Sequence, residues 1–582
     1  MNGRRDHAEG HAPSAAPAVT AAAIGAAVVT LGVSHGGYAP AAWGWSALLA
    51  LWITMLVLVL RSALAVERSE VAYVGLVVAL AGWTALTVTW TLSVPRTVLE
   101  VERDLVYVAC AAAVVLGARV VGRQAIIVGL ASGLVVLVAF ALFSYLVAPL
   151  TFDATQGYLL FRPLGYANAV GGICALALPP VLAFGAHDAR AAVRSAVGAS
   201  AVVLFVALFL TQNRSAWLAL GCAMIVWALR TGSPVRTVGR AAVLCAPALF
   251  AVALAWCLDP LDSAAQPAAI HERRLVVGAA VVTFAGTGAA LGRRLRAPRL
   301  SRTTVLRSAW AGSLFVVAAA AVAFTRPGIR AHYWRAAWHA FRHQPLVGSG
   351  AGTFDLEWFR YRDVAATVRD AHNLYLGTLS ELGLVGLVLL LAVLALPIVS
   401  ARRTRDPLLT AVLGAYCGFL VHVAFEWDWK FPVVTGSGLV LGSVLAGADP
   451  GGRLVRIERA ARVAGVAAAA IAAAFAVASL AGNSYVVSAE ARMTAGDPAA
   501  AAARASRARK LVPWASEPWV VIADSDARAG DLVDARAALH QALGRDRYDW
   551  TLWVRLAEVA HGEERARALR RALELNPLLA AG

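Results

Sequence analysis

Residues 373–398 read NLYLGTLSELGLVGLVLLLAVLALPI, and Glu381 is the single charged side chain in the stretch. A helix needs roughly 20 apolar residues to cross a hydrocarbon core roughly 30 Å thick, and this run meets that length. Windows of the same kind recur to either side of it, from about residue 17 to about residue 482. They lie near 17–33, 43–60, 71–90, 105–118, 125–148, 166–186, 195–211, 215–229, 241–257, 275–291, 308–324, 407–425, 431–448 and 463–482, about fifteen spans with the first. With 59% hydrophobic and 15% charged residues over 582 positions, and a mean hydropathy of +0.66, most of the chain is solvated by lipid. The fold class is all-α: a polytopic membrane helix bundle. Its first span follows Arg4, Arg5 and a polar stretch without a small-residue cleavage site, which reads as a retained span.

The formal net charge of +17 does not point to nucleic acid, because the arginines occupy short loops between apolar spans. They report topology. Alternate loops are rich in arginine, among them Arg61 with Arg68, Arg119 with Arg123, the run Arg293, Arg294, Arg296, Arg299, Arg302 and Arg307, and the group Arg453, Arg456, Arg459 and Arg462. Positive loops face the cytoplasm. The expected organisation is a cytoplasmic tail at 1–16, a membrane domain at 17–482 with a large extracytoplasmic loop at 325–371, and an extracytoplasmic tail at 483–582, in the inner membrane. The arginines on the outer side then stand out: Arg162, Arg214, and Arg326, Arg330, Arg335, Arg342, Arg360, Arg362 and Arg369. A cluster of guanidinium groups held near lipid suits an anionic partner such as a diphosphate, which accepts bidentate hydrogen bonds. The opposing reading is that a long translocated loop tolerates such charge, part of it neutralised by Asp355, Glu357, Asp363 and Asp370. All six cysteines, Cys110, Cys174, Cys222, Cys245, Cys257 and Cys417, fall within or at the edge of spans, with no metal-ligand spacing.

Beyond about residue 482 the chain compares with itself at an offset of thirty-four: Tyr485, Trp519 and Trp553 align, as do Ala489, Ala523 and Ala557, and Gly496-Asp497 aligns with Gly530-Asp531. In the third unit the turn glycine is Gly562. This period resembles tetratricopeptide repeats, whose paired helices need small residues where they cross. Such an array is expected to offer a surface to a protein partner, or else to cap the membrane domain.

The outer loop ends in Asp370-Ala371-His372-Asn373-Leu374-Tyr375, which places His372 at the start of a helix at the outer mouth of a span. It reads as the one histidine so placed beside a compact polar group. A neutral imidazole there takes a proton from a hydroxyl near neutral pH; the alternative is a capping or interfacial histidine. The glycine-rich 348–352 lacks the lysine of a nucleotide loop and reads as a turn shaping the outer loop. In the short connection Glu426-Trp427-Asp428-Trp429-Lys430, the tryptophans read as interfacial anchors, and the carboxylates as either solvated or acceptor-binding.

Four segments in order carry a resemblance. They are Phe161-Arg162-Pro163-Leu164-Gly165-Tyr166-Ala167-Asn168; Thr211-Gln212-Asn213-Arg214-Ser215-Ala216; Tyr333-Trp334-Arg335-Ala336-Ala337-Trp338 leading to Pro345-Leu346-Val347-Gly348-Ser349-Gly350-Ala351-Gly352-Thr353-Phe354; and the His372-Asn373 helix. Over roughly 155–430 the chain resembles the O-antigen ligase/polymerase family. The resemblance implies a GT-C-like membrane glycosyltransferase, an undecaprenyl diphosphate-linked glycan donor, a glycan, lipid or protein acceptor, inversion at the anomeric carbon, and neither metal nor cofactor. It makes His372 the base or acceptor-orienting residue, Arg214 and Arg335 the diphosphate ligands with Arg162 as a further candidate, and Asn373, Arg360 and Arg362 accessory. Asn213 departs from the family pattern, in which a small residue is usual before the arginine. Ligase and polymerase remain unseparated. A transporter or flippase of polyprenyl-linked sugars is the alternative from another class, and it would call for ionisable residues deep within the spans.

Overall fold

The computed structural model describes residues 16–149, 151–188, 190–295, 303 and 328–581. The span expected at 308–324, nearly all of the tail at 1–16, and Arg296, Arg299, Arg302, Arg307 and Arg326 lie outside the described residues. The other fourteen windows coincide with helices: α1 (Ala16–Val33), α2 (Pro40–Leu60), α3 (Arg68–Leu86), α4 (Val94–Val121), α5 (Arg123–Val147), α6 (Ala167–His187), α7 (Ala191–Leu210), α8 (Arg214–Arg230), α9 (Pro234–Leu258), α10 (Pro267–Arg293), then, past two helices of the outer loop, α11 (Arg330–His343) and α12 (Phe354–Tyr361), the helices α13 (Leu374–Ala401), α14 (Pro407–His422), α15 (Pro432–Ala446) and α16 (Arg459–Thr494). Eleven of these are long and apolar enough to cross a membrane, while α8, α14 and α15 are shorter, at 17, 16 and 15 residues. The protein is an all-α, multi-pass membrane bundle.

Lipid offers helices no hydrophobic reason to associate, so close backbone approach through small residues takes over. A Cβ on Gly414 or Gly418 of α14 would lie 2.4 Å from the Ala223 carbonyl oxygen or 2.7 Å from that of Ala219, both on α8. Bare glycine faces let α14 and α8 touch along their backbones, and these two helices carry His422 and Arg214 to the same end of the bundle.

The loops that arginine content separates also separate in space. At one end the strands β1 (Ala65–Glu67) and β2 (Leu454–Arg456) pair antiparallel, with Ala65 opposite Arg456. There Arg119 and Arg123 bond to Glu67 at 3.0 and 2.8 Å, and Arg194 bonds to the Gly292 carbonyl at 3.0 Å. At the other end the loops around 153–166, 211–214, 328–373 and 423–431 meet one another.

The glycine-rich turn has a structural task. Helix α13 is interrupted at Gly383 (φ 67°, ψ −167°), and residues 345–354 dock on the break. Leu384 N–H donates to the Pro345 carbonyl at 2.9 Å and Gly350 N–H to that of Glu381 at 2.9 Å. The amides of Gly352 and Phe354 donate to the Glu381 carboxylate, each at 3.0 Å. These amides are already satisfied within the chain, which agrees with a turn that shapes the loop. A Cβ at Gly383 would fall 2.3 Å from the Leu346 carbonyl oxygen, in a backbone region that side chains avoid. Gly383→Ala is therefore expected to cost about 1–3 kcal/mol and to open the loop at 345–371 to limited proteolysis, which a protease time course checks.

The tail forms helical hairpins at the period read from the sequence. The end of α16 pairs with α17 (Pro498–Leu511), α18 (Glu517–Arg528) with α19 (Leu532–Leu543), and α20 (Trp550–Val559) with α21 (Gly562–Leu575). Gly496, Gly530 and Gly562 take positive φ between the two helices of their pairs, and Ala489, Ala523 and Ala557 are buried where the helices cross. Helix α16 runs unbroken through 482–483. Its 36 residues extend about 54 Å, so a membrane span continues as the first rod of the tail. The tail rests on the loop at 328–373: Arg96 of α4 pairs with Asp355 of α12 and with Asp549 at 3.0 Å and Asp546 at 3.5 Å, and Arg362 donates to Asn576 at 2.9 Å.

Candidate active site

The centre of the polar end is Glu426, only 1% exposed. It accepts hydrogen bonds from Tyr166 Oη at 2.9 Å, Asn168 Nδ2 at 2.8 Å and Ser215 Oγ at 2.9 Å, and it pairs with Arg330 Nη2 at 2.8 Å. Burial raises the pKa of this carboxyl, but Arg330, His422 and the bonds from Asn168 and Ser215 outweigh it and hold Glu426 below the ordinary carboxylate range. Three segments far apart in sequence are thereby tied to one anion. Asn213, at the N-cap of α8, accepts from Ala216 N–H at 3.1 Å and donates to the Asn168 carbonyl at 2.9 Å, which fixes the 161–168 loop to α8.

Behind Glu426, His422 Nε2 lies 2.7 Å from Asp428 Oδ2, and Nδ1 lies 3.4 Å from Ser215 Oγ. Asp428 is fully buried. The connection at 423–431 is thus part of the interior of the site. Of its tryptophans, the Trp427 ring packs on Tyr166 at 5.1 Å and Tyr38 at 5.7 Å, and faces His372 at 6.2 Å. It is a wall of the site and not an interfacial anchor.

His372 stands at the mouth, between Trp427 and the Tyr333 ring, 5.2 Å away. Its φ of 51° is a left-handed conformation uncommon outside glycine, and Gln212, two residues before Arg214, has φ 50°. Strain of this kind clusters at functional sites. The Asp370 carbonyl lies 3.1 Å from His372 Nδ1. A carbonyl only accepts, so Nδ1 carries the hydrogen and Nε2 keeps its lone pair. Asp370 is itself anchored by Lys430 Nζ at 2.6 Å. Burial first, and Arg330 second among the lowering influences, bring His372 below its ordinary value of 6.5, so the neutral ring prevails at neutral pH.

Residues 199–391 match the family model described as O-antigen ligase. The chain carries an O-antigen ligase domain. No curated protein gives a match to the sequence. The O-antigen ligase domain runs from within α7 to within α13, and it contains Arg214, Arg330 and His372. The match supports a membrane glycosyltransferase of the O-antigen ligase/polymerase type.

The residues singled out in the sequence are distributed unevenly around this domain. His372 shares the mouth with Arg330 and Glu426. Arg214 opens α8 beside Ser215; it is exposed, and no described carboxylate lies within ion-pair distance of it. Arg162 is exposed, its guanidinium 5.6 Å from the Phe161 ring. Asn373 caps α13 by accepting from Leu376 N–H at 2.9 Å. Arg335 does not join them. It is 61% exposed and pairs with Asp363 at 3.1 Å. Five residues along a helix rotate a side chain by about 140°, so Arg335 and Arg330 leave α11 on different faces. Arg360 lies over the Tyr361 ring at 5.4 Å, and Arg362 points to Asn576 of the tail. His422 was missed, the carboxylates of Glu426 and Asp428 were left open as solvated or acceptor-binding, and Arg330 stood only among the loop arginines. His372 is also not the one histidine at this mouth, because His422 ends α14 there. Two carboxylates crowded into a short connection between spans were the available signal, since each needs donors if it is buried.

Proposed function

We propose that this protein moves a glycan from a polyprenyl diphosphate, undecaprenyl diphosphate in bacteria, to an acceptor hydroxyl at the outer face of the inner membrane, as an O-antigen ligase or surface polysaccharide polymerase. The observation that carries the reading is the placement of His372, whose Nδ1 lies 3.1 Å from the Asp370 carbonyl so that Nε2 keeps the lone pair, at the mouth it shares with Arg330, with Arg214 opening α8 next to Ser215 of the Glu426 hub. His372 Nε2 takes the proton of the acceptor hydroxyl as that oxygen attacks the anomeric carbon. The bond from that carbon to the diphosphate oxygen breaks, the configuration inverts, and polyprenyl diphosphate departs with the electron pair. Arg214 holds the diphosphate, helped by the positive end of α8, and Arg330 adds a second guanidinium. Glu426 keeps Arg330 in place without neutralising Arg214. With guanidinium groups taking up the leaving charge, the reaction calls for no metal. Short arginine-rich loops at the end opposite His372, among them those that hold Arg119, Arg123, Arg453 and Arg456, support an extracytoplasmic site and a cytoplasmic N-terminus.

Transport of polyprenyl-linked sugars requires ionisable groups along a path through the bundle. The hub around Glu426 is gathered at one end, and the buried Glu102 and Arg103 lie toward the end of α4 that carries Arg96, which favours catalysis. Arg214→Ala tests the reading: at matched membrane levels, cells with this variant are expected to accumulate lipid-linked glycan while the protein remains inserted. Long lipid-linked chains identify a ligase, and single lipid-linked repeat units a polymerase. A lipid-linked glycan pool equal to that of the wild type contradicts the role given to Arg214.

A further inference from the structure

Between the outer loop and the helical tail lies a cavity of about 680 Å³, within the roughly 300–1,000 Å³ typical of ligand pockets. One wall is α12 and the irregular segment after it, with Phe359, Arg362 and Thr367; the other is the tail, with Asp549, Trp550 and Asn576. The Phe359 and Trp550 rings meet at 5.5 Å across the seam, inclined at 62°. Arg96 with its three carboxylate partners forms an ionic floor.

The lining discriminates among ligand classes. Its cations and anions largely offset one another, so neither a diphosphate nor a polycation is favoured. Its many polar groups do not suit a lipid tail. Carboxylate, guanidinium, amide and hydroxyl groups beside aromatic rings match a molecule that offers alternating donors and acceptors on its edge and C–H groups on its face. That is a sugar ring. The location agrees: Arg369 lines the cavity and precedes His372 by three positions, a separation of at most about 11 Å along the chain.

We infer that the cavity between α12 and the tail is a binding site for an oligosaccharide segment of the glycan handled at His372. The inference rests on the proposed transfer reaction, and it gives the tail half of a substrate site. The segment belongs either to the donor chain or to the acceptor chain; the chemistry of recognition is the same.

The test uses the full-length protein in lipid nanodiscs and, as probe, neutral oligosaccharides released by mild acid from the cell's own surface polysaccharide and graded by size. Saturation-transfer NMR reads contact with the sugar protons directly. Wild type and His372→Asn are expected to bind equally, because binding does not need the base. Thr367→Trp, which fills the cavity from an exposed loop position, and Trp550→Ala, which removes the aromatic wall, are each expected to weaken binding by about tenfold. A rise in KM for the acceptor in Thr367→Trp assigns the segment to the acceptor, and a rise for the lipid-linked donor assigns it to the donor. Absence of binding to the wild type, or unchanged affinity in Thr367→Trp, overturns the inference. Transfer that still depends on His372 would then leave the proposed reaction standing.

Discussion

Replacing His372 by asparagine is expected to lower glycan transfer by about 10²- to 10⁴-fold, the usual contribution of a positioned base, with no loss of thermal stability. Asparagine tolerates the left-handed backbone that His372 occupies, so the αL turn before α13 survives and only the proton acceptor is removed. The pH profile supplies the independent sign. In the proposed reaction His372 works as the neutral ring, so transfer is expected to fall as the pH drops through its folded-state pKa. Burial holds that pKa below 6.5, and the acid limb of kcat/KM is accordingly expected below 6.5 in the wild type. In His372→Asn that limb disappears. An acid limb that persists unchanged in His372→Asn assigns it to another group.

Glu426→Ala is expected to give the largest loss of stability of any single change at the site, about 3 kcal/mol. The carboxylate is almost fully buried and receives Tyr166, Asn168, Ser215 and Arg330, so its removal leaves the Tyr166 hydroxyl without an acceptor and the Arg330 guanidinium without its anion, while Asn168 and Ser215 each lose one of two acceptors. Arg330 is 36% exposed and reaches water, which keeps the cost at the low end of that for breaking buried ion pairs. Glu426→Gln preserves the shape and one acceptor oxygen, and it is expected to lose about half as much. The pKa of Glu426 is depressed in the folded protein. Its contribution is therefore complete above the ordinary carboxylate value and lost as the pH falls through its own lower value. Thermal unfolding of the three proteins in one detergent, at pH 7 and in acid, checks both the magnitude and the sign.

The bundle was legible because a membrane span leaves a local mark: an apolar run such as 384–398 announces itself without reference to the rest of the chain. Helical hairpins in the tail were legible for a similar reason, since Tyr485, Trp519 and Trp553 repeat at a fixed interval. The site was legible only in part. His372 and Arg214 sit in short motifs whose neighbouring residues single them out as candidates. Glu426 gives no such sign, because its donors come from positions 166, 168, 215 and 330, and a buried carboxylate looks like a solvated one until those donors are in place. Trp427 misled for the same reason: a tryptophan next to a span is an interfacial anchor when it meets lipid and a site wall when Tyr166 and Tyr38 lie against it. Choosing Arg335 over Arg330 was a matter of helix phase, which the surrounding run of arginines conceals.

The connection of tail to site is mechanical as well as chemical. Helix α16 passes unbroken from the bundle into the first hairpin, and the ion cluster around Arg96 joins α4, α12 and the tail. The loop that presents His372 is thus clamped between the membrane domain and the helical tail.

The most direct test of the central claim is transfer by the purified protein in nanodiscs, supplied with a polyprenyl diphosphate-linked glycan and a glycan acceptor, with both products followed. Wild type is expected to release one polyprenyl diphosphate for each glycosidic bond formed, and His372→Asn to form neither product above about a hundredth of that rate. Equal turnover by the two proteins would contradict the assignment of His372 as the base.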